Sequence, residues 1–196
     1  MFGIALGVLI GVTHLLGYWI YYKGSHSKEN PIQPEPMSWL IWAFGSFVNL
    51  ISYGLLAGDL VKDILPLVCS LACVMIFVDQ WFQRGKKIEK MTKEGLSMFS
   101  LDTGSMLIGF LTRSALVTNI CCQIGTIASF IPILRATAKD PTKEKPLPWI
   151  VWSIAYGLDV ILVICRWEKW GDVVYPIVEF ILCFIIAVIS NRKRTT

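Results

Sequence analysis

Polar side chains stand at helical spacing inside stretches of this chain that are too apolar to be left in water. Trp42, Ser46, Asn49 and Tyr53 fall on one face of one such stretch, and Trp152, Tyr156, Asp159 and Val163 fall on one face of a later one. An amide or carboxyl turned toward lipid is costly, so Asn49 and Asp159 are expected to face the interior of a helix bundle. There they would form a solute site walled by Trp42, Trp152, Ser46 and Tyr156. The same groups would also serve as glue between helices, with the indoles at the headgroup level, since each Trp lies near one end of its stretch. Glu179, Asp159 and His14 are the proton-coupling candidates, because a carboxyl or imidazole held inside a bundle is suited to carry a proton. Against this, Glu179 stands close enough to an interface to reach water, and His14 is suited to bond a neighbouring backbone or hydroxyl group. Asp102 is set aside because its stretch is short and its depth unfixed.

The elements that must position these residues are membrane spans. Apolar residues make up 55% of the 196, and charged residues only 16%. That balance excludes an ordinary soluble domain. Six spans are predicted: Phe2–Tyr22, Trp39–Ala57, Ile64–Phe82, Ala115–Leu134, Trp149–Cys165 and Val173–Ser190. Each is long enough to cross most of a hydrocarbon layer about 30 Å thick. The first carries no preceding basic residue and ends on Trp19, Tyr21, Tyr22 and Lys23, an interfacial anchor rather than a cleavage site. Cys69, Cys73, Cys121, Cys122, Cys165 and Cys183 all fall within or beside spans and read as small packing residues rather than a disulfide framework. Stripes of small residues (Gly3, Gly7 and Gly11; Cys121, Gly125 and Ser129) indicate close helix contact, and Pro66 and Pro176 are expected to break or kink their helices.

Charge sets the topology. Basic residues cluster after the first span (Lys23, Lys28), after the third (Arg84, Lys86, Lys87, Lys90, Lys93), between the Ala115 and Trp149 spans (Arg135, Lys139, Lys143, Lys145) and in the tail (Arg192, Lys193, Arg194). Placing all four clusters in the cytoplasm requires two crossings between Lys93 and Lys139. One is Ala115–Leu134, so Gly95–Leu111 must be the other, for a total of seven helices with the N-terminus outside and the C-terminus inside.

A shift of 110 residues brings Pro31 onto Pro141, Pro36 onto Pro146, Trp39 onto Trp149, Trp42 onto Trp152, Asn49 onto Asp159, Pro66 onto Pro176 and Cys73 onto Cys183. One fixed offset carrying so many matches is an internal repeat. The expected fold is all-α: two parallel three-helix bundles at residues 1–82 and 113–196, joined by a basic loop and linker helix at residues 83–112. Parallel repeats commonly hold a site between their halves near the midplane.

This three-plus-one-plus-three pattern, with prolines between the first and second helices of each repeat, resembles the SWEET sugar transporters and the PQ-loop family. It is closest to a branch of small bacterial membrane proteins, to which Pro132, Arg135, Pro141, Glu144 and Trp149, and the run Ser38-Trp39-Leu40-Ile41-Trp42, correspond. The Pro-Gln pair of the PQ-loop family is replaced by Tyr22-Lys23 and Pro132-Ile133, and the polar pair stands on the second helix of each repeat rather than the third. The resemblance implies a small-solute transporter or facilitator working by alternating access in a bacterial inner membrane, or else a receptor or sorting protein on the same fold. The chain shows no zinc-protease, nucleophile-elbow or P-loop motif, and too few histidines for a conventional metal site. Tyr156-Gly157-Leu158-Asp159 is similar to one motif of intramembrane aspartyl proteases, but it lacks the second glycine and a partner Asp. No enzymatic activity, cofactor or metal is therefore expected. The expected partners are membrane lipid, touched by the basic loops, and a small solute. Nucleic acid is not among them, and homo-oligomerisation stays open.

Overall fold

The computed structural model describes residues 2–28, 31–32, 36–83 and 93–192, without the side chains of 36–38, 94, 98, 102 and 110. The basic cluster from Arg84 to Lys90, the basic residues of the tail from Lys193 onward and the Asp102 side chain lie outside the described residues.

Among the described residues there are seven α-helices and no strand: α1 Phe2–Ser25, α2 Pro36–Ala57, α3 Ile64–Gln83, α4 Lys93–Thr112, α5 Ala115–Lys139, α6 Pro146–Cys165 and α7 Val174–Ser190. All but α4 are long and apolar enough to cross a membrane, which makes the chain a multi-pass integral membrane protein. Leu9, Leu55, Leu71, Met75, Ile164 and Phe184 are exposed on the outside of the bundle, where lipid tails would contact them. The helix α4 covers the stretch that the charge argument needs, but its composition is too polar to count as a span. Its Ser100, Thr103 and Thr112 hydroxyls donate to backbone carbonyls one turn back, which satisfies them without water.

Pro36, Pro66, Pro146 and Pro176 stand in the first turns of helices, whereas Pro132 lies inside α5. Pro36 and Pro146 are the first residues of α2 and α6, where a missing N–H has no partner to lose. Pro66 and Pro176 are each the third residue of their helix, α3 and α7. In the first turn of an α-helix the ring is tolerated, and ahead of Pro176 a 3-10 turn, Trp170–Val173, gives way to α7.

The helices α2 and α3 lie side by side, as do α6 and α7; α1 packs on α3 and α6, α5 packs on α7 and α2, and α4 covers α5 and α2. Gly7 and Gly11 let α1 approach the side chains of Val61 and Ile64 at the start of α3. Contacts between loops show how the ends sort. Gly3 lies against Arg166, and Gly171 lies against Leu56 and Leu116. The starts of α1, α3, α5 and α7 therefore gather at one end with the last residues of α2 and α6. At the opposite end His26 meets Gln83 and Asp79, Arg192 donates to the Ala138 carbonyl, and Gly24 packs on Ile32 and Lys145. This second end carries the described basic residues Lys23, Lys28, Lys93, Arg135, Lys139, Lys143, Lys145 and Arg192.

Candidate solute cavity

A cavity of about 70 Å³ lies where the six spanning helices converge. His14 reaches it from α1, Trp42 from α2, Cys69 from α3, Ser129 from α5, Trp152 from α6 and Glu179 from α7. Of the residues singled out by sequence, Trp42, Ser46, Asn49, Trp152 and Tyr156 also line it. Asp159 does not.

The wall is aromatic. Trp39 and Trp42 meet edge to face at 5.0 Å, and their counterparts Trp149 and Trp152 do the same at 5.0 Å. Trp39, Trp149 and Trp152 are buried, and Trp42 donates its indole N–H to Ser129 Oγ at 2.9 Å. These three rings face the bundle rather than lipid, whereas Trp19, Trp167 and Trp170 are exposed. Gly17 is needed for this packing. A Cβ there would collide with the indole nitrogen of Trp152, so only a bare backbone lets the ring lie flat on α1.

At the centre the polar groups are few. The Tyr18 hydroxyl stands 3.3 Å from both Cys69 Sγ and Cys73 Sγ, Tyr156 donates to Cys69 Sγ at 3.8 Å, and Tyr175 donates to the Tyr156 hydroxyl at 3.5 Å. All six cysteines are free thiols, and two of them therefore do more than fill space. The His14 ring packs edge-on against Tyr18 and Tyr156, with centroids at 5.2 and 5.0 Å. It is 1% exposed, with the Cys69 thiol as its polar neighbour and no hydrogen bond of good geometry at either ring nitrogen, and the Trp152 indole N–H is unbonded. Tyr175, Glu179 and Cys183 repeat every four residues along one face of α7, and all three border the cavity.

Asn49 and Asp159, expected to approach each other, part company. Asn49 Oδ1 accepts from Asn119 Nδ2 at 3.0 Å and from Gln123 Nε2 at 2.8 Å, so its partners are amides of α5. Asp159 is buried with both carboxyl oxygens unbonded. Its electrostatic neighbours are Asp63, Tyr53 and Tyr175, toward the turn that precedes α3. No amide of α1 takes the place that Asn119 and Gln123 of α5 take beside Asn49: the buried residues at the matching depth of α1, one position out of the 110-residue register, are Ile10 and His14.

Both ends beyond the cavity are tied. At the end where α1, α3, α5 and α7 start, Lys62 Nζ lies 2.8 Å from Asp172 Oδ2, with both side chains fully buried. Glu168 stands 3.8 Å from the same ammonium, and Tyr53 donates to the Asp172 carbonyl at 2.8 Å. Beside this pair Arg166 binds Asp59. Burial alone would raise the Asp59 carboxyl, but the Arg166 guanidinium holds it below its usual range. Nearby Asp63 is pushed up to about 6 by burial and by the charge of Asp59. Lys62 and Asp172 are themselves counterparts at the offset of 110, a signal present in the sequence but not used there. Toward the opposite end the lining rings pack on one another, Phe130 lying 5.4 Å from Trp42 and 6.0 Å from Trp149, and Tyr21 lies behind them, 5.2 Å from Trp39. Trp149 donates to Glu144 at 3.0 Å, and burial raises that carboxyl to about 7. Comparison with protein families, curated proteins and solved structures finds no match to this chain.

Proposed function

We propose that the chain is a small-solute carrier of the kind its sequence resembles, built as two parallel three-helix repeats, α1–α3 and α5–α7, with α4 as the linker crossing. One observation carries the reading: all six apolar helices border one cavity, with a layer of ion pairs toward one end and the cavity's own aromatic wall toward the other. On one side the closure is polar, made by ion pairs between the turn before α3 and the segment before α7. On the other it is a cluster of aromatic rings at the starts of α2 and α6. A carrier needs two barriers that open in turn around one site, and repeats that pack as equivalents supply both from the same elements.

In this reading the basic end faces the cytoplasm, since Lys and Arg are hard to translocate. The bases at the other end include Lys62 and Arg166, which are matched by Asp172 and Asp59. The N-terminus of α1 is then outside and the C-terminus inside a bacterial plasma membrane.

The test is reconstitution with a lock. Asp59→Cys with Arg166→Cys, in a background lacking the native thiols, would fasten the polar closure by a disulfide. Uptake into proteoliposomes should stop on oxidation and return on reduction. Uptake that is indifferent to the lock refutes alternating access here, and saturable binding without any uptake makes the protein a receptor. Accessibility labels should place Ser25 and Asp140 on one side of the membrane, and Asp59 and Gly171 on the other.

A further inference from the structure

Building on the reading of the cavity as a solute site, we propose that its solute is a small amine in the ammonium form, held by the Glu179 carboxylate and the surrounding aromatic rings. Glu179 is the one Asp, Glu, Lys or Arg among the lining residues. It shares its helix face with buried Tyr175 and Cys183, and among the described residues no hydrogen bond or ion pair meets its carboxylate. Glu179 is half-buried, and a carboxylate set among apolar groups either takes up a proton or is answered by a cation. No Lys or Arg lines the cavity, which leaves room there for a ligand's cation.

The rest of the wall suits the same charge. Trp39, Trp42, Trp149, Trp152, Tyr18 and Tyr156 border the space, and indole and phenol faces attract a cation, most strongly when both are desolvated. An anion would meet Glu179 with no positive side chain to offset it. A neutral polyol would need several paired donors and acceptors, which this wall does not offer.

Size narrows the class. A cavity of roughly 150 Å³ is what holds a benzene molecule. The space here, about 70 Å³, takes an amine of a few heavy atoms together with a water. The unbonded His14 nitrogens and Trp152 indole N–H supply the remaining directional contacts. The acceptor nitrogen of His14 takes one ammonium proton, and Trp152 donates to the water or to a hydroxyl carried by the amine.

The experiment is calorimetric titration of the detergent-purified protein at neutral pH with methylammonium chloride, and in parallel with methanol and sodium acetate. Methylammonium should bind saturably, whereas methanol, its neutral isostere, and acetate should not. Glu179→Gln should weaken methylammonium roughly ten- to hundredfold, the scale of one hydrogen bond to a charged group. Glu179→Asp should retain most of the affinity, and Trp152→Leu should lose severalfold. No binding of methylammonium by the wild type, equal binding of methanol, or unchanged affinity in a monodisperse Glu179→Gln variant overturns the proposal. The wild-type comparison decides even where a variant fails to fold. Uptake of radiolabelled methylammonium separates the two readings. Binding without uptake refutes transport and leaves the ligand class standing, whereas uptake of a neutral solute by a protein that does not bind methylammonium does the reverse.

Discussion

Breaking the Lys62–Asp172 pair should be the most damaging single change at the polar closure. Both side chains are fully buried and the ions sit 2.8 Å apart, so neither survivor can turn to water. Removing one partner of such a pair costs about 3–5 kcal/mol, because an uncompensated buried charge remains. Lys62→Met should fall at the upper end, since it strands Asp172, whose Oδ1 already lacks a hydrogen bond. Asp172→Asn should fall at the lower end, because half-exposed Glu168 stands 3.8 Å from the ammonium and can move closer. The repeat supplies a sharper control. Lys62 and Asp172 occupy equivalent positions, so Lys62→Asp combined with Asp172→Lys keeps the pair and reverses it, at the cost of setting an Asp near Glu168. The swap should recover more than half of what either single change loses. Reversible unfolding of the purified variants, arranged as a double-mutant cycle, measures this. Single losses below about 1 kcal/mol, the value of an exposed pair, would refute the reasoning. So would a swap no better than the sum of its parts.

Glu144 yields a pH prediction. Burial raises its carboxyl to about 7 from an ordinary 4.5, so the native protein binds this proton more tightly than the unfolded chain does. Its contribution to stability must then fall as pH rises from the ordinary carboxyl range through about 7. Glu144→Gln, which keeps an acceptor for Trp149, should stabilise the protein by roughly 1–3 kcal/mol above that range and not at all below it; thermal denaturation against pH reads both limbs. Gly17→Ala should push Trp152 off α1, costing about 1–3 kcal/mol as overpacking does and lowering solute affinity in the same preparation. Asp159→Asn should leave stability unchanged or improved, because it removes only an ionisable group that has no hydrogen bond. If Asp159 carries a coupled proton, the same variant abolishes pH-driven accumulation in sealed vesicles; full accumulation by both Asp159→Asn and Glu179→Gln would make the carboxyls structural.

How much of this was legible in advance depends on the kind of signal. Six spans could be read because hydropathy acts over about 20 residues and needs no partner to be known. The Trp pairs could be placed on one wall because the 110-residue offset carries both members at once. Asp159 was misplaced by the same device. A repeat copies positions on a helix, but a polar side chain settles where the neighbouring helix offers it a partner. Asn119 and Gln123 stand beside Asn49, while the buried residues of α1 at the matching depth are Ile10 and His14, neither of them an amide. The kinks expected at Pro66 and Pro176 could have been withdrawn in advance, because the predicted spans Ile64–Phe82 and Val173–Ser190 already set both prolines in the first turn, where a proline is tolerated. The Lys62–Asp172 pair was visible as opposite charges at equivalent positions, yet charge counting for topology treats Lys62 as an exception to be set aside. In a repeat protein such an exception is better compared with its counterpart first, because symmetry-related positions near an axis meet, and opposite charges that meet in a buried place form a bond rather than a topological signal.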